Sequence, residues 1–468
     1  MQHQFKLLIN GVLVDGDEHI DIIDPAVGRP FASCPIASLD QLDAAVQSAR
    51  IAQRAWAETS LDHRRQLLLA LADKIEANAE QLGLVLTSEQ GKPLADSAWE
   101  VSFLVSAIRY FASQTLPIEV IEDNEVRRVE LDHRPLGVVA AIIPWNFPLG
   151  LVGNKLPAAL LAGNALIIKP APTTPLSTLL LGEIINELVP PGLVNIIADN
   201  NDLGSALTSH PGIDKIAFTG STATGRKVMS SAATDLKRVT LELGGNDPAI
   251  ILDDVDPKKI APDLFFSAFA NTGQVCVSVK RAYVHERIYD ELVSELTSLA
   301  QAAKVGDGRE EGVKFGPIQN AAQYNKAIQY LEIASRDGKI TAGGAMYDRG
   351  GYFVRPTIVR DIDEKSPLVV EEQFSPILPL IPFSDEDEAV AKANALPYGL
   401  GASVWSSDLD RAYALSKRIQ AGTVWINQHL ALTPNVPVPA AKQSGIGVAL
   451  GLDGLKSYTQ LTVTNIKK

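Results

Sequence analysis

Five short stretches of the chain hold residue types that could do chemistry. Cys276, in FANTGQVCVSVKR, is one of only two cysteines in 468 residues. It follows a Gly-Gln turn at the end of a helical pattern, where a thiol can stay reachable. As a thiolate it would be a nucleophile, given a positive potential nearby; the alternative is an inert buried thiol. Glu242 stands between two leucines in LELGGNDP. Partial desolvation there would raise its pKa and suit it to general-base work, although a locally paired carboxylate would read the same. In PWNFP, Pro144 and Pro148 fix the backbone around Trp145, Asn146 and Phe147. A rigidly held Asn amide fits a developing oxyanion, and it also fits an ordinary turn. FTGSTATG, Phe218 to Gly225, ends an apolar strand and opens a helix whose free N–H groups could face a diphosphate. A nucleotide-triphosphate loop would need Lys then Ser/Thr after the second glycine, and Arg226 and Lys227 stand there instead. A plain strand–helix turn remains the other reading. KPAPTTP, Lys169 to Pro175, sets a lysine at a strand end before a Pro-rich loop, or simply at the surface.

These stretches need elements to hold them. From residue 136 onward, continuous apolar runs such as GVVAAIIP, ALIIKP, LVNII and KIAFTG alternate with helix-type runs. That alternation implies βαβ units and a mostly parallel sheet covered on both faces. A second alternation follows residue 244 and runs to WIN at 425–427, so two α/β domains are the economical division. Upstream, LDAAVQSARIAQRAW has helical spacing, and Ser38 with Gln41 forms a plausible capping box. Further amphipathic helix is expected across Leu61–Leu86 and Ala95–Gln114. Residues 118–133 and 455–468 instead show the period-2 pattern of strands with one wet face. They would pack as a small added sheet whose edges could pair with another subunit.

Composition narrows the function classes. The net charge is −13, with 42 basic against 55 acidic residues, which argues against general nucleic-acid binding. Two cysteines rule out a disulfide framework and favour a reducing, cytoplasmic setting. With seven histidines they also give no Cys/His zinc pattern, so no metal is expected. The first residues lack the layout of a signal peptide. The uncharged run from Pro135 to Asn154 is broken by Pro144 and Pro148, so no membrane span is expected.

In order along the chain, PWNFP, the strand-end Lys169, the FTGSTATG loop, LELGG and the Gly-Gln-x-Cys resemble the NAD(P)-dependent aldehyde dehydrogenase superfamily. GKPL at 91–94, GYFVRPTIV at 351–359, EEQFSP at 371–376, PYGLGASVW at 397–405 and KQSG at 442–445 are similar to further family blocks, and Glu242 lies 34 positions before Cys276, as in the family. The resemblance covers nearly the whole chain. It implies an aldehyde dehydrogenase-like α/β fold: a Rossmann-like cofactor domain over 1–115 and 136–243, a catalytic domain over 244–442, and antiparallel oligomerisation strands at 116–135 and 455–468. It also implies a mechanism. Cys276 would attack the aldehyde, and Asn146 with the Cys276 N–H would hold the oxyanion. Hydride would pass to the nicotinamide, and Glu242 would activate water on the resulting thioester, with Lys155 helping to relay protons. Around the cofactor, Gly220, Ser221 and Gly225 would form the diphosphate loop. Lys169 would face the adenine-side ribose and Glu372 the nicotinamide-side ribose, with Trp145 and Phe374 beside the ring.

The chain departs from the family pattern in three places. Pro172 replaces a glutamate that commonly pairs with ribose hydroxyls. This leaves NAD and NADP both open, with the balance leaning to NAD. Pro437-Val438-Pro439-Ala440 replaces a PFGG-type loop, and Val448-Ala449 replaces a common Arg-Glu. Phe147, Leu151, Val275 and Val277 make the substrate entrance apolar, favouring an uncharged aliphatic or aromatic aldehyde. The rival readings are a CoA-acylating aldehyde dehydrogenase and a non-catalytic dinucleotide-binding protein of the same fold. A homodimer is the first expectation for assembly and a homotetramer the second.

Overall fold

The computed structural model describes residues 3–346 and 350–468. The apolar runs become the strands Val138–Ile142, Ala165–Lys169, Val194–Ile196, Lys215–Thr219 and Arg238–Glu242, all paired in parallel. They are buried on both faces beneath helices, which is why their sequences run apolar without alternation. A hairpin, Leu7–Ile9 with Val12–Val14, adds antiparallel strands at one edge. Gly445–Ile446 closes the other edge beside Glu242, making eight strands. From Val138–Ile142 the chain first builds outward through Ala165–Lys169 and Val194–Ile196. It then returns to the opposite side with Lys215–Thr219 and Arg238–Glu242. The order therefore reverses between Val138–Ile142 and its neighbours, and ligands of open α/β sheets bind beyond strand C-termini at such a point. PWNFP follows the first of these strands, and Gly220-Ser221 follows the second.

Leu243 to Asn246 lead directly into a second sheet that begins with Asp247–Ile251. Its seven strands are ordered Lys339–Ala342, Thr357–Arg360, Ile377–Phe383, Val279–His285, Asp247–Ile251, Gly401–Trp405 and Thr423–Ile426. All pairs are parallel except the first. Cys276 lies just before Val279–His285. The two polar-alternating stretches do pack together: Thr459–Lys467 pairs antiparallel with Arg127–Pro135, which pairs with Glu119–Asp123. The C-terminal strand starts later than expected, because Leu455 and Lys456 finish the helix Gly451–Lys456 and Leu455 is fully buried.

Helix lies where the periodicity put it, with one division. The 61–86 stretch is part of two helices, Leu61–Glu76 and Ala79–Gln90, and Asn78 closes the first by donating to the Lys74 carbonyl at 2.8 Å. The helix Leu39–Ala57 opens on a complete capping box: Gln41 N donates to Ser38 Oγ at 3.3 Å, and Ser38 N donates to Gln41 Oε1 at 3.0 Å. Replacing Ser38 by Ala removes one of these bonds and costs about 1 kcal/mol. Thermal denaturation of Ser38→Ala is expected to show a lower midpoint, with the native circular dichroism spectrum unchanged.

Candidate active site

The Asn146 turn is built by buried charge. Its carbonyl accepts from Lys92 Nζ at 2.9 Å and from Asn271 Nδ2 at 3.0 Å. Lys92 is paired with Glu100, both side chains being fully buried. The other Glu100 oxygen accepts from Leu149 N at 2.8 Å and Gly150 N at 3.0 Å, in the first turn of the helix Pro148–Gly153. Lys92 Nζ also sits 3.9 Å from the Phe147 ring centre. A buried ion pair survives only when its remaining donors and acceptors are satisfied, and here the satisfying groups are the backbone of the Asn146 turn and of this helix start. The Asn146 amide then donates to the Gln274 carbonyl at 3.0 Å, leaving its second N–H available.

The turn that carries Cys276 arrives from the other sheet. Helix Pro257–Phe269 ends, and Asn271 and Thr272 take left-handed φ values of 48° and 58°. This conformation is uncommon for a β-branched residue, and Thr272 is anchored by donating from Oγ1 to the Gly316 carbonyl at 3.0 Å. Gln274 is fixed on both sides, donating to the Asn271 carbonyl at 3.0 Å and accepting from Gln319 N at 2.9 Å. Ser278 N then donates to the Val275 carbonyl at 3.3 Å, closing a turn with Cys276 as its second residue. The thiol is half-buried beside a small apolar cluster of Val275, Val277, Leu400 and Trp425, with Phe147 at its margin. Leu151 is partly buried and packs against the margin of the first sheet's core, while Leu149 and Val152 of the same helix are fully buried in it. Burial pushes the Cys276 thiol up to about 12; the carboxylates of Glu242, Glu372 and Asp247 add to this, and Lys280 opposes it.

Glu242 ends its strand opposite Thr219. Its Oε2 accepts from Lys155 Nζ at 2.7 Å and from Thr219 Oγ1 at 2.6 Å. Burial alone would raise this carboxyl. The Lys155 charge, together with hydrogen bonds from Lys155, Thr219 and Asn154, outweighs it and holds the group below the usual carboxylate range. The raised pKa expected from the flanking leucines is thus corrected: the side chain is desolvated but ion-paired.

The dinucleotide-facing candidates lie at strand ends as expected, with two refinements. Ser221 caps the helix Thr222–Ala233, accepting from Thr224 N, and Gly220 N donates to the Glu242 carbonyl at 3.0 Å. Gly225 is not in the loop but one turn inside the helix, where a Cβ would collide with Leu243; its role is close helix packing. Lys169 is buried and paired with Asp199. Glu372 accepts from Gly245 N at 3.0 Å, and burial raises its carboxyl. Phe374 meets Trp145 edge to face, with ring centres 5.4 Å apart. The dinucleotide fits this donor set: the helix start is open, and Thr222 Oγ1 there is a buried polar atom without a partner. Sequence reasoning missed Lys280, Asp199, Thr219, Gln274 and the Lys92–Glu100 pair. Thr219, Gln274 and Lys92 stand inside the FTGSTATG, Gly-Gln-x-Cys and GKPL motifs, whereas Lys280, beside Arg281, and Asp199 and Glu100 carry no local signal.

A sequence model described as the aldehyde dehydrogenase family matches residues 13–464. The chain belongs to the aldehyde dehydrogenase family. Aldehyde dehydrogenase LUC3 of Fusarium sp is 40% identical, covering 99% of each chain. An NAD+ complex of aldehyde dehydrogenase from Bacillus cereus superposes with a TM-score of 0.97 at 34% identity, over 99% of this chain and 97% of that one. An NADP-dependent enzyme of E. coli does so with a TM-score of 0.97 at 34% identity, over 99% and 98%. The protein is accordingly an NAD(P)-dependent aldehyde dehydrogenase. Its Cys276 thiol is protonated at neutral pH when no cofactor is bound, since its pKa is raised rather than lowered. Alkylation of the cofactor-free dehydrogenase by iodoacetamide should therefore climb about tenfold per pH unit between pH 7 and 9. A plateau below pH 8 would contradict the buried-thiol environment.

Proposed function

We propose that this aldehyde dehydrogenase oxidises an uncharged aliphatic or aromatic aldehyde to the free carboxylic acid through a covalent intermediate on Cys276. The observation that carries the proposal is the meeting of the Asn146 amide with the Cys276 turn at Gln274. Sγ gives up its proton to solvent and, as the thiolate, forms a bond to the carbonyl carbon. The carbonyl oxygen takes up the negative charge, which the second Asn146 N–H and the Cys276 backbone N–H receive. As the C=O bond re-forms, the aldehyde hydrogen leaves with its electron pair. The bound nicotinamide dinucleotide supplies the acceptor for that hydride. Glu242, ionised at neutral pH and held by Lys155 and Thr219, takes a proton from water, whose oxygen adds to the thioester. The acid departs and the thiolate is restored.

The apolar lining by Phe147, Val275, Val277, Leu400 and Trp425 supports an uncharged substrate. For the cofactor, Ser221 and Gly220 face the diphosphate, Lys169 the adenine-side ribose and Glu372 the nicotinamide-side ribose. Pro172 removes one ribose-facing carboxylate, but Asp199, bound to Lys169, returns one close by. Its charge disfavours a 2′-phosphate, which supports NAD over NADP. Exposed Leu461, Val463 and Ile466 on the edge strand Thr459–Lys467 support self-association, a dimer first and a tetramer second. Two free thiols fit a reducing, cytoplasmic setting.

The test follows reduced-cofactor absorbance with a panel of neutral and charged aldehydes, with NAD or NADP, and with or without CoA. The proposal expects turnover of apolar aldehydes, higher kcat/KM with NAD, and no need for CoA. Strict CoA dependence, or no turnover of any aldehyde, would overturn it. Asn146→Ala should lower kcat by about 100-fold or more while leaving aldehyde KM little changed.

A further inference from the structure

Lys280 is the second residue of the buried strand Val279–His285, is 2% exposed, and aims its ammonium at the turn that carries Cys276. Nζ donates to the Val275 carbonyl at 2.6 Å, to the Cys276 carbonyl at 3.0 Å and to Ser278 Oγ at 3.1 Å, with the Ser278 carbonyl at 3.5 Å. The buried lysines 92, 155 and 169 each touch a carboxylate; the hydrogen bonds of Lys280 all go to neutral oxygens of its own turn, and its ammonium also lies 5.7 Å from the Phe374 ring centre. Its charge is therefore balanced by carbonyl dipoles and left unneutralised by any direct ion pair.

We propose that Lys280 is the positioning residue of the nucleophile turn, gathering the Val275 and Cys276 carbonyls so that the Cys276 N–H is aimed at the oxyanion and a cation stands beside the thiol. This rests on the reading of Cys276 as nucleophile. The geometry follows from the planar trans peptide, in which the Val275 C=O and the Cys276 N–H point in opposite directions. Fixing that carbonyl on Lys280 turns the N–H directly away from the ammonium. The Cys276 N–H finds no acceptor among the described residues, as an oxyanion donor requires. The second consequence is electrostatic. The charged groups acting on the thiol are the carboxylates of Glu242, Glu372 and Asp247, which oppose ionisation, and Lys280, which favours it. Lys280 is thus the cation that favours ionisation against these three carboxylates.

The experiment compares Lys280→Met, Lys280→Gln and Lys280→Arg with the parent, each as the full chain. Iodoacetamide alkylation is measured at pH 9 without cofactor, and the labelled peptide is identified by mass. Loss of the charge should slow labelling of Cys276 about tenfold in the Met and Gln variants, one pKa unit being a tenfold change in thiolate. Arg should stay within about threefold, because it keeps the charge. Mere loosening of the turn would expose the thiol and speed labelling. The Met and Gln variants should also lose kcat with aldehyde KM nearly constant, since the N–H acts on charge that develops in the transition state. Gln retains a donor and so tests the charge even if the Met variant does not fold. Labelling at the parent rate or faster in Lys280→Gln would overturn the proposal. Full activity in Cys276→Ala would instead defeat the underlying nucleophile reading, so the two failures are distinct.

Discussion

The hydrogen bond from the Asn146 amide to the Gln274 carbonyl, 3.0 Å long, joins the C-terminal end of a strand in one sheet to the turn before a strand in the other. Each partner is over-determined on its own side. Lys92 and Glu100 hold the Asn146 backbone, while Asn271, Gln319 and the left-handed pair at 271–272 hold Gln274. Asn271 belongs to both sets, since it also donates to the Asn146 carbonyl. In the proposed mechanism this junction holds the oxyanion donor and the nucleophile in one frame. A displacement of an ångström there is enough to lose much of the rate that orientation provides.

Buried charge is the second theme. Lys92–Glu100, Lys155–Glu242 and Lys169–Asp199 are all ion pairs between largely desolvated groups. Such pairs add little net stability, and breaking one leaves a buried charge that costs about 3–5 kcal/mol. Their use here is to fix geometry and ionisation. The first orients the Asn146 turn, the second keeps a desolvated carboxylate ionised, and the third sets the charge at a strand end. Lys280 departs from these pairs, its ammonium donating to the Val275 and Cys276 carbonyls.

The parts legible in the sequence were those carried by local signals. Apolar runs gave the parallel strands, and the Ser38–Gln41 spacing gave a helix start. Two prolines marked the Asn146 turn, and the scarcity of cysteine drew attention to Cys276. What could not be read depended on partners distant in the chain. The leucines beside Glu242 implied desolvation correctly, but Lys155, which reverses the direction of the pKa shift, lies 87 positions away. Gly225 reads as a loop glycine because its contact, Leu243, comes from the segment after the following strand, 18 positions on. Asp199 sits in a polar stretch, ADNNDLG, whose composition suggests a solvated loop rather than a buried counter-ion.

The central claim is that oxidation proceeds on the Cys276 sulfur and is released by Glu242. The most direct measurement is intact and peptide mass spectrometry of a Glu242→Gln variant, quenched with acid during turnover of aldehyde and cofactor. The account predicts a burst of reduced cofactor and an added mass equal to the acyl group on the peptide containing Cys276. Reduced cofactor formed with no adduct there at any quench time, or an adduct on a different residue, would contradict it.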